Sequence, residues 1–308
     1  MEKHAYLLMV HNNYFNLEIL LKMLDDERND IYINVDRKVR NFPDAFFINV
    51  VHKSKLFLYH EVSVNWGGFS QVQCEMFLMK QAASGLYKYY HLLSGADLPI
   101  KTQDDIWSFF EKNEGFEFVQ FDDGRLNQFR KEFTRRVDKY HFIQEYRKCS
   151  NKRIIKGALT WLAKGLLGLQ VLLRIDRWSR QKLILKYGSQ WFSITHDFVT
   201  FLLENEDRIR DLFTLTQCPD ESFVQIMLFN STFRERCYQF AGNHRQSGNL
   251  REINWEKSSD PAHPYVWKRE DLEYLFSSPN LFARKFDENL DREIMIRLYE
   301  EVMGRRVE

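Results

Sequence analysis

The stretch AYLLMVHNNYFNLEILLKMLDDERNDIYINVD, residues 5–36, decides the fold. Ala5–Val10 is a continuous apolar run of strand length that turns polar at His11, Asn12 and Asn13. A helical pattern follows at Leu17, Leu20, Leu21 and Leu24, and a second apolar run, Ile31–Val35, ends at Asp36. Strand, helix and strand at this spacing make a βαβ unit, because parallel neighbours need a long crossover. The expected class is α/β, with a central mostly parallel sheet flanked by helices. Ligands of open α/β sheets lie beyond the carboxyl ends of the strands, which makes His11 and Asp36 candidate nucleotide contacts. The alternative is that both are ordinary loop residues.

Further along, Phe47–Val51 and Val62–Val64 read as short strands, and residues 66–70, WGGFS, as a turn into a helix over 71–84 with Ser70 placed to cap it. Tyr89–Leu93 is strand-like and ends in SGADLPI, residues 94–100. Gly95 permits close backbone approach and Pro99 fixes the exit, so Gly95 and Asp97 stand at a strand end built for a ligand or for a tight turn. A helix over 104–112 and a strand over 116–121 follow, the strand ending at Asp122-Asp123.

The 308 residues are 44% apolar and 15% aromatic, enough to bury a substantial core. A formal net charge of +1 argues against a dedicated nucleic-acid binder. Cys74, Cys149, Cys218 and Cys237 show no metal-ligand spacing and read as reduced thiols. The apolar run at the N-terminus is too short for a signal peptide or anchor, so a cytoplasmic location is expected.

Residues 218–227, CPDESFVQIM, carry the sharpest chemical signal. Pro219 suits a helix's first turn, Asp220 and Glu221 sit at the positive end of its dipole, and the apolar residues after them would pin the helix to a core. A carboxylate held that way is suited to general-base work, or the pair merely caps a helix.

Together, WGGFS (66–70), LLSGADLPI (92–100), GSQWFSITHDF (188–198), CPDESF (218–223) and LFARKFD (281–287) resemble the core-2/I-branching β-1,6-N-acetylglucosaminyltransferase family, which includes the peptide O-xylosyltransferases. The resemblance implies a GT-A-type fold and inverting transfer from a UDP-sugar without a metal or other cofactor. It matches Glu221 to the catalytic base, Asp220 to a supporting group and Lys285 to the lysine that binds the diphosphate. No Asp-x-Asp occurs, and Asp122-Asp123 is the nearest approach to that metal motif. The family's upstream arginine is ambiguous here: Arg251 is preferred, and Lys268, Arg269 and Arg284 also lie in range. Gly188 and Ser189 allow close backbone approach. With Trp191, which either stacks on a sugar ring or is plain core, they are the candidate sugar-binding residues.

Residues 147–186 hold eleven Lys or Arg against one acid, Asp176, around an apolar run from Gly157 to Ile175. This reads as a basic amphipathic helix, lying on an anionic membrane or packed on the domain with its basic face in solvent. From Leu290 a charged C-terminal helix is expected. The whole is read as one domain, 1–308, with a basic helical insertion at about 140–187. The expected partners are UDP-GlcNAc and a glycan or lipid-linked glycan acceptor, in surface-polysaccharide synthesis by a bacterial-type enzyme in the cytoplasm or on the inner face of the cell membrane. A UDP-xylose-dependent enzyme and a non-catalytic sugar or nucleotide binder are the alternatives.

Overall fold

The computed structural model describes residues 3–146, 153–241, 246–260, 263–304 and 306. Cys149 and the first residues of the basic segment, 147–152, lie outside them. In chain order the elements are β1 (His4–Val10), α1 (Tyr14–Leu24), β2 (Asn29–Val35), α2 (Asp44–Ile48), β3 (Lys55–Tyr59), α3 (Phe69–Ala82), β4 (Tyr89–Ser94), β5 (Asp97–Pro99), α4 (Gln103–Lys112) and β6 (Phe118–Val119). They continue with α5 (Asp123–Gln128), α6 (Arg130–Asp138), α7 (Arg153–Leu172), β7 (Phe192–Thr195), α8 (His196–Glu204), α9 (Glu206–Phe213), α10 (Phe223–Phe229), β8 (Arg251–Ile253), α11 (Leu272–Ser277), β9 (Phe282–Arg284) and α12 (Glu293–Met303).

A six-stranded sheet runs β3-β2-β1-β4-β7-β6, and a smaller one runs β5-β9-β8. Strands β1 to β4 pair in parallel, whereas β7 pairs antiparallel with both β4 and β6. From Ala5 onward β1 is apolar because both faces are covered. Tyr6, Leu8 and Val10 enter one core with α1, α4 and α12, while Ala5 and Leu7 enter the other with α3, α8 and α10. This is the α/β architecture expected from the sequence.

Three local expectations differ. Phe47–Val51 is not a strand: Pro43 and Asp44 start the short helix α2, which buries Phe47 against Phe42, and β3 lies further on. Val62–Val64 is irregular, its carbonyls taken by Arg37, Asn34 and Lys38 instead of a neighbouring strand. Ser70 does not cap α3, which begins one residue earlier behind Gly68; its hydroxyl donates to Glu145 at 2.9 Å and accepts from the Asn65 amide at 2.8 Å.

The register decides where chemistry collects. Val10 pairs with Val35 and Met9 with Ser94, so His11, Asp36 and Gly95 emerge at one edge of the sheet. In the small sheet Asp97 pairs with Arg284, which delivers Arg284 and Lys285 to the same edge. Two asparagines lock the sheets together. Asn16, fully buried, donates to the carbonyls of Gly95 at 2.8 Å and Asp97 at 3.3 Å, and Asn13 donates to that of Phe286 at 2.8 Å. Replacing Asn16 by Ala leaves buried carbonyls without a donor. It should cost about 1–3 kcal/mol in urea unfolding. An unchanged midpoint would show that the link does not hold the sheets.

Candidate active site

Two adjoining hollows open at this edge, of about 580 and 390 Å³. They share a wall made by Trp66, Gln190, Trp191, His263 and Arg284. His11, Asp36, Lys38, Gly95 and Lys285 line the larger one. A Cβ added at Gly95 would meet the Asn12 carbonyl at 3.3 Å, so the glycine keeps the floor low. Asp36 is buried and pairs with Lys38 at 3.3 Å. Partial desolvation of the ring, with Arg284, Lys285 and Lys38, pushes the His11 pKa down against the pull of Asp36. Lys285 makes no ion pair among the described residues, which leaves its ammonium available to an anion.

Arg284 divides the hollows. Its guanidinium lies 4.4 Å from the Trp191 ring centroid and bonds Asp97 at 2.9 Å and the Ser94 hydroxyl at 2.5 Å. Asp97 is fully buried, and its other oxygen accepts from the Ser94 amide. It lines neither hollow. The structure thus gives Asp97 the work of placing Arg284 rather than a direct donor contact. Trp191 lies just before β7 and presents one ring face to Arg284, so it builds the dividing wall, while the better exposed Trp66 and Trp255 stand at the rim.

The smaller hollow holds the acid pair. Residues Pro219–Glu221 form a single 3₁₀ turn ahead of α10, the proline-led start expected from the sequence. Glu221 accepts from Arg136 of α6 at 2.9 Å, and this ion pair orients its carboxylate. The Tyr187 phenol beside it is pushed up in pKa, mainly by burial and then by Glu221. Asp220 is only 4% exposed; one oxygen accepts from Gln71 at 2.9 Å and the other has no partner among the described residues. Burial, then the charge on Glu221, raise its pKa to about 8. Adjacent acids are thereby split: Asp220 stays protonated at neutral pH, beside the Arg136-paired Glu221. Behind them Glu75, fully buried and bonded only weakly to Gln190 at 3.3 Å, is raised well above the carboxylate range by burial and then by Asp220.

Arg251 lines the smaller hollow, with its guanidinium held by the protein itself. Its guanidinium, 2% exposed, donates to the carbonyls of Leu92 at 3.0 Å, Phe192 at 2.6 Å and Asn249, and to the Ser193 hydroxyl at 2.7 Å. Those contacts bind β8 to β4 and β7. Gly188 lines the hollow, but its bare Cα serves packing, since a Cβ would fall 1.8 Å from the Gln120 carbonyl. Ser189 lines it too, with its carbonyl held by Gln225 at 2.6 Å. Asp122 caps α5 through the Arg125 amide and Asp123 pairs with Lys186, so both have partners.

Arg136, Glu75 and the dividing role of Arg284 were missed in the sequence. Gln71 and Glu75, one helical turn apart on the buried face of α3, were the legible signal.

A family model for the Core-2/I-Branching enzyme matches residues 4–276, and the chain belongs to that family. It is 25% identical to xylosyltransferase 2 of Rattus norvegicus over 320 residues, 94% of this chain and 32% of that protein. It is 23% identical to the N-acetyllactosaminide β-1,6-N-acetylglucosaminyl-transferase of Homo sapiens over 315 residues, 92% of this chain and 68% of that one. The chain thus spans about a third of the xylosyltransferases it matches. Among solved structures, the WbbM bifunctional glycosyltransferase aligns over 99% of this chain and 51% of its own at 8% identity and a TM-score of 0.45.

The buried Asp220 predicts a pH signature. Its folded pKa lies above the unfolded value, so its protonated form holds stability that is fully present below about pH 4 and lost as pH rises to about 8. Asp220→Asn, neutral at every pH, should gain on the wild type between pH 5 and 8, by several °C in melting temperature. The same difference at both pH values would contradict the buried protonated acid.

Proposed function

We propose that the protein is an inverting glycosyltransferase that moves N-acetylglucosamine from UDP-GlcNAc to a hydroxyl of a glycan or lipid-linked glycan acceptor, with Glu221 as general base and without a metal. The observation that carries the reading is the position of Glu221: oriented by Arg136, it sits across the Trp191–Arg284 wall from the cation-lined hollow. UDP-sugar fits the larger hollow and acceptor the smaller. The acceptor oxygen attacks the anomeric carbon from the Glu221 side as the carboxylate takes its proton. The bond to the diphosphate breaks and its electron pair leaves on the phosphate oxygen. Lys285 and Arg284 then supply the positive charge that the departing UDP requires.

Transfer of xylose from UDP-xylose is the second reading, favoured by the match to xylosyltransferase 2. Calorimetric titration with UDP, UDP-GlcNAc, UDP-xylose and UDP-glucose, each with and without EDTA, separates the two. Tight EDTA-insensitive UDP binding with a preference for UDP-GlcNAc is expected. Binding that EDTA abolishes and manganese restores would sink the metal-free reading. Glu221→Gln should lose at least ~100-fold in turnover and keep UDP affinity. Lys285→Ala should weaken UDP binding by about 10-fold, through loss of a charge-assisted contact. Full turnover in Glu221→Gln would refute the base assignment.

A further inference from the structure

The helix α7 is apolar on both sides: Leu159, Ala163, Leu166 and Leu167 are half-buried on the side of Gln170, and a second apolar side is exposed. Gln170 is buried, and its amide brackets Tyr140, accepting from the backbone amide at 2.8 Å and donating to the carbonyl at 2.9 Å. Trp161 lies nine positions earlier, which at 3.6 residues per turn is the opposite side of the helix. It is 76% exposed, and Leu172, about three turns further along the same side, is 78% exposed. Leu162 and Leu169 extend the same outward side and are also exposed. The helix thus packs on the domain through one apolar side and leaves a second apolar side uncovered, which a solvated basic face does not account for.

Charge says what covers this face. Lys164 flanks the apolar side, and Arg174, Arg180 and Lys182 follow the end of the helix, all exposed. A cleft of about 930 Å³ between α6 and the end of α7 adds Arg130, Lys131 and Arg135. None of these seven makes an ion pair among the described residues. Of the acids in the cleft, Glu132 pairs with Arg136, Asp138 pairs with Lys139, and Asp176 accepts from the Ser179 amide. Apolar side chains ringed by unpaired cations complement a surface that is apolar inside and anionic at its edge. A second copy of the chain would instead set these cations against each other.

We propose that α7 docks the protein on an anionic lipid bilayer, with Trp161, Leu162, Leu169 and Leu172 in the interface and the flanking cations on lipid phosphates. No helix among the described residues is long and apolar enough to cross a membrane, so the contact is peripheral. The inference goes beyond the sugar-transfer reading and holds whichever donor is used.

Flotation of the full chain with vesicles tests it. The wild type should float with an equimolar mixture of phosphatidylcholine and phosphatidylglycerol, stay behind with phosphatidylcholine alone, and lose binding in high salt. A Trp161→Ser, Leu172→Ser double variant should partition at least ~10-fold more weakly, since two large apolar side chains no longer leave water. Both positions are exposed, so its melting temperature should match the wild type. Wild type that fails to float with the anionic vesicles, or a variant that floats equally well, overturns the proposal. So does a lipid-free dimer that the double substitution dissolves, because the occupant is then a second copy.

Discussion

The buried guanidinium of Arg251 is the contact on which the site depends. It gathers carbonyls from β4, β7 and the turn before β8, and so clamps the small sheet onto the large one. The Ser193 hydroxyl that accepts from it also shares a hydrogen bond with His91 Nδ1 at 2.8 Å. His91 Nε2 in turn shares one with His4 Nδ1 at 3.1 Å. Burial is the main reason that both imidazoles are pushed well down in pKa and stay neutral. One cation thus joins a hydrogen-bonded chain that reaches from Ser193 of β7 through His91 of β4 to His4 of β1. Carbonyl dipoles, with no carboxylate in direct contact, offset its burial.

With the sheets clamped, the remaining polar groups divide the work. Asp97 is spent on Arg284, Arg284 on the wall against Trp191, and Arg136 on Glu221. The side chains left open to the hollows are fewer than the motifs contain, chiefly Lys285, His11 and Glu221. Beneath them Asp220 and Glu75 form a buried acidic floor, and burial raises the pKa of both.

Much of this was legible in the chain. The apolar runs of β1 and β2, the leucine pattern of α1 and the strand ending at Gly95 mark the edge where the site forms, because two-faced burial requires continuous apolar strands. The turn at Pro219 and the acid pair after it were legible for the same local reason, helix-start chemistry. Short elements were not: Phe47–Val51 has strand-like residues, yet Pro43 and Asp44 just ahead of it start a helix.

What the sequence by itself determined is the α/β class, the ends of the parallel strands, and the residue types available there, since periodicity and turn chemistry act over a few neighbouring residues. Only the tertiary structure decided which of those residues line the hollows. Arg251 and Arg284 carry the same charge and lie on adjacent strands, yet Arg251, almost fully buried, is engaged by carbonyls while Arg284 stands in the wall shared by both hollows. The outward turn of α7 was likewise beyond reach of its own pattern. A helical period shows that a helix has two sides, while tertiary contacts such as that of Gln170 with Tyr140 decide which one meets the solvent.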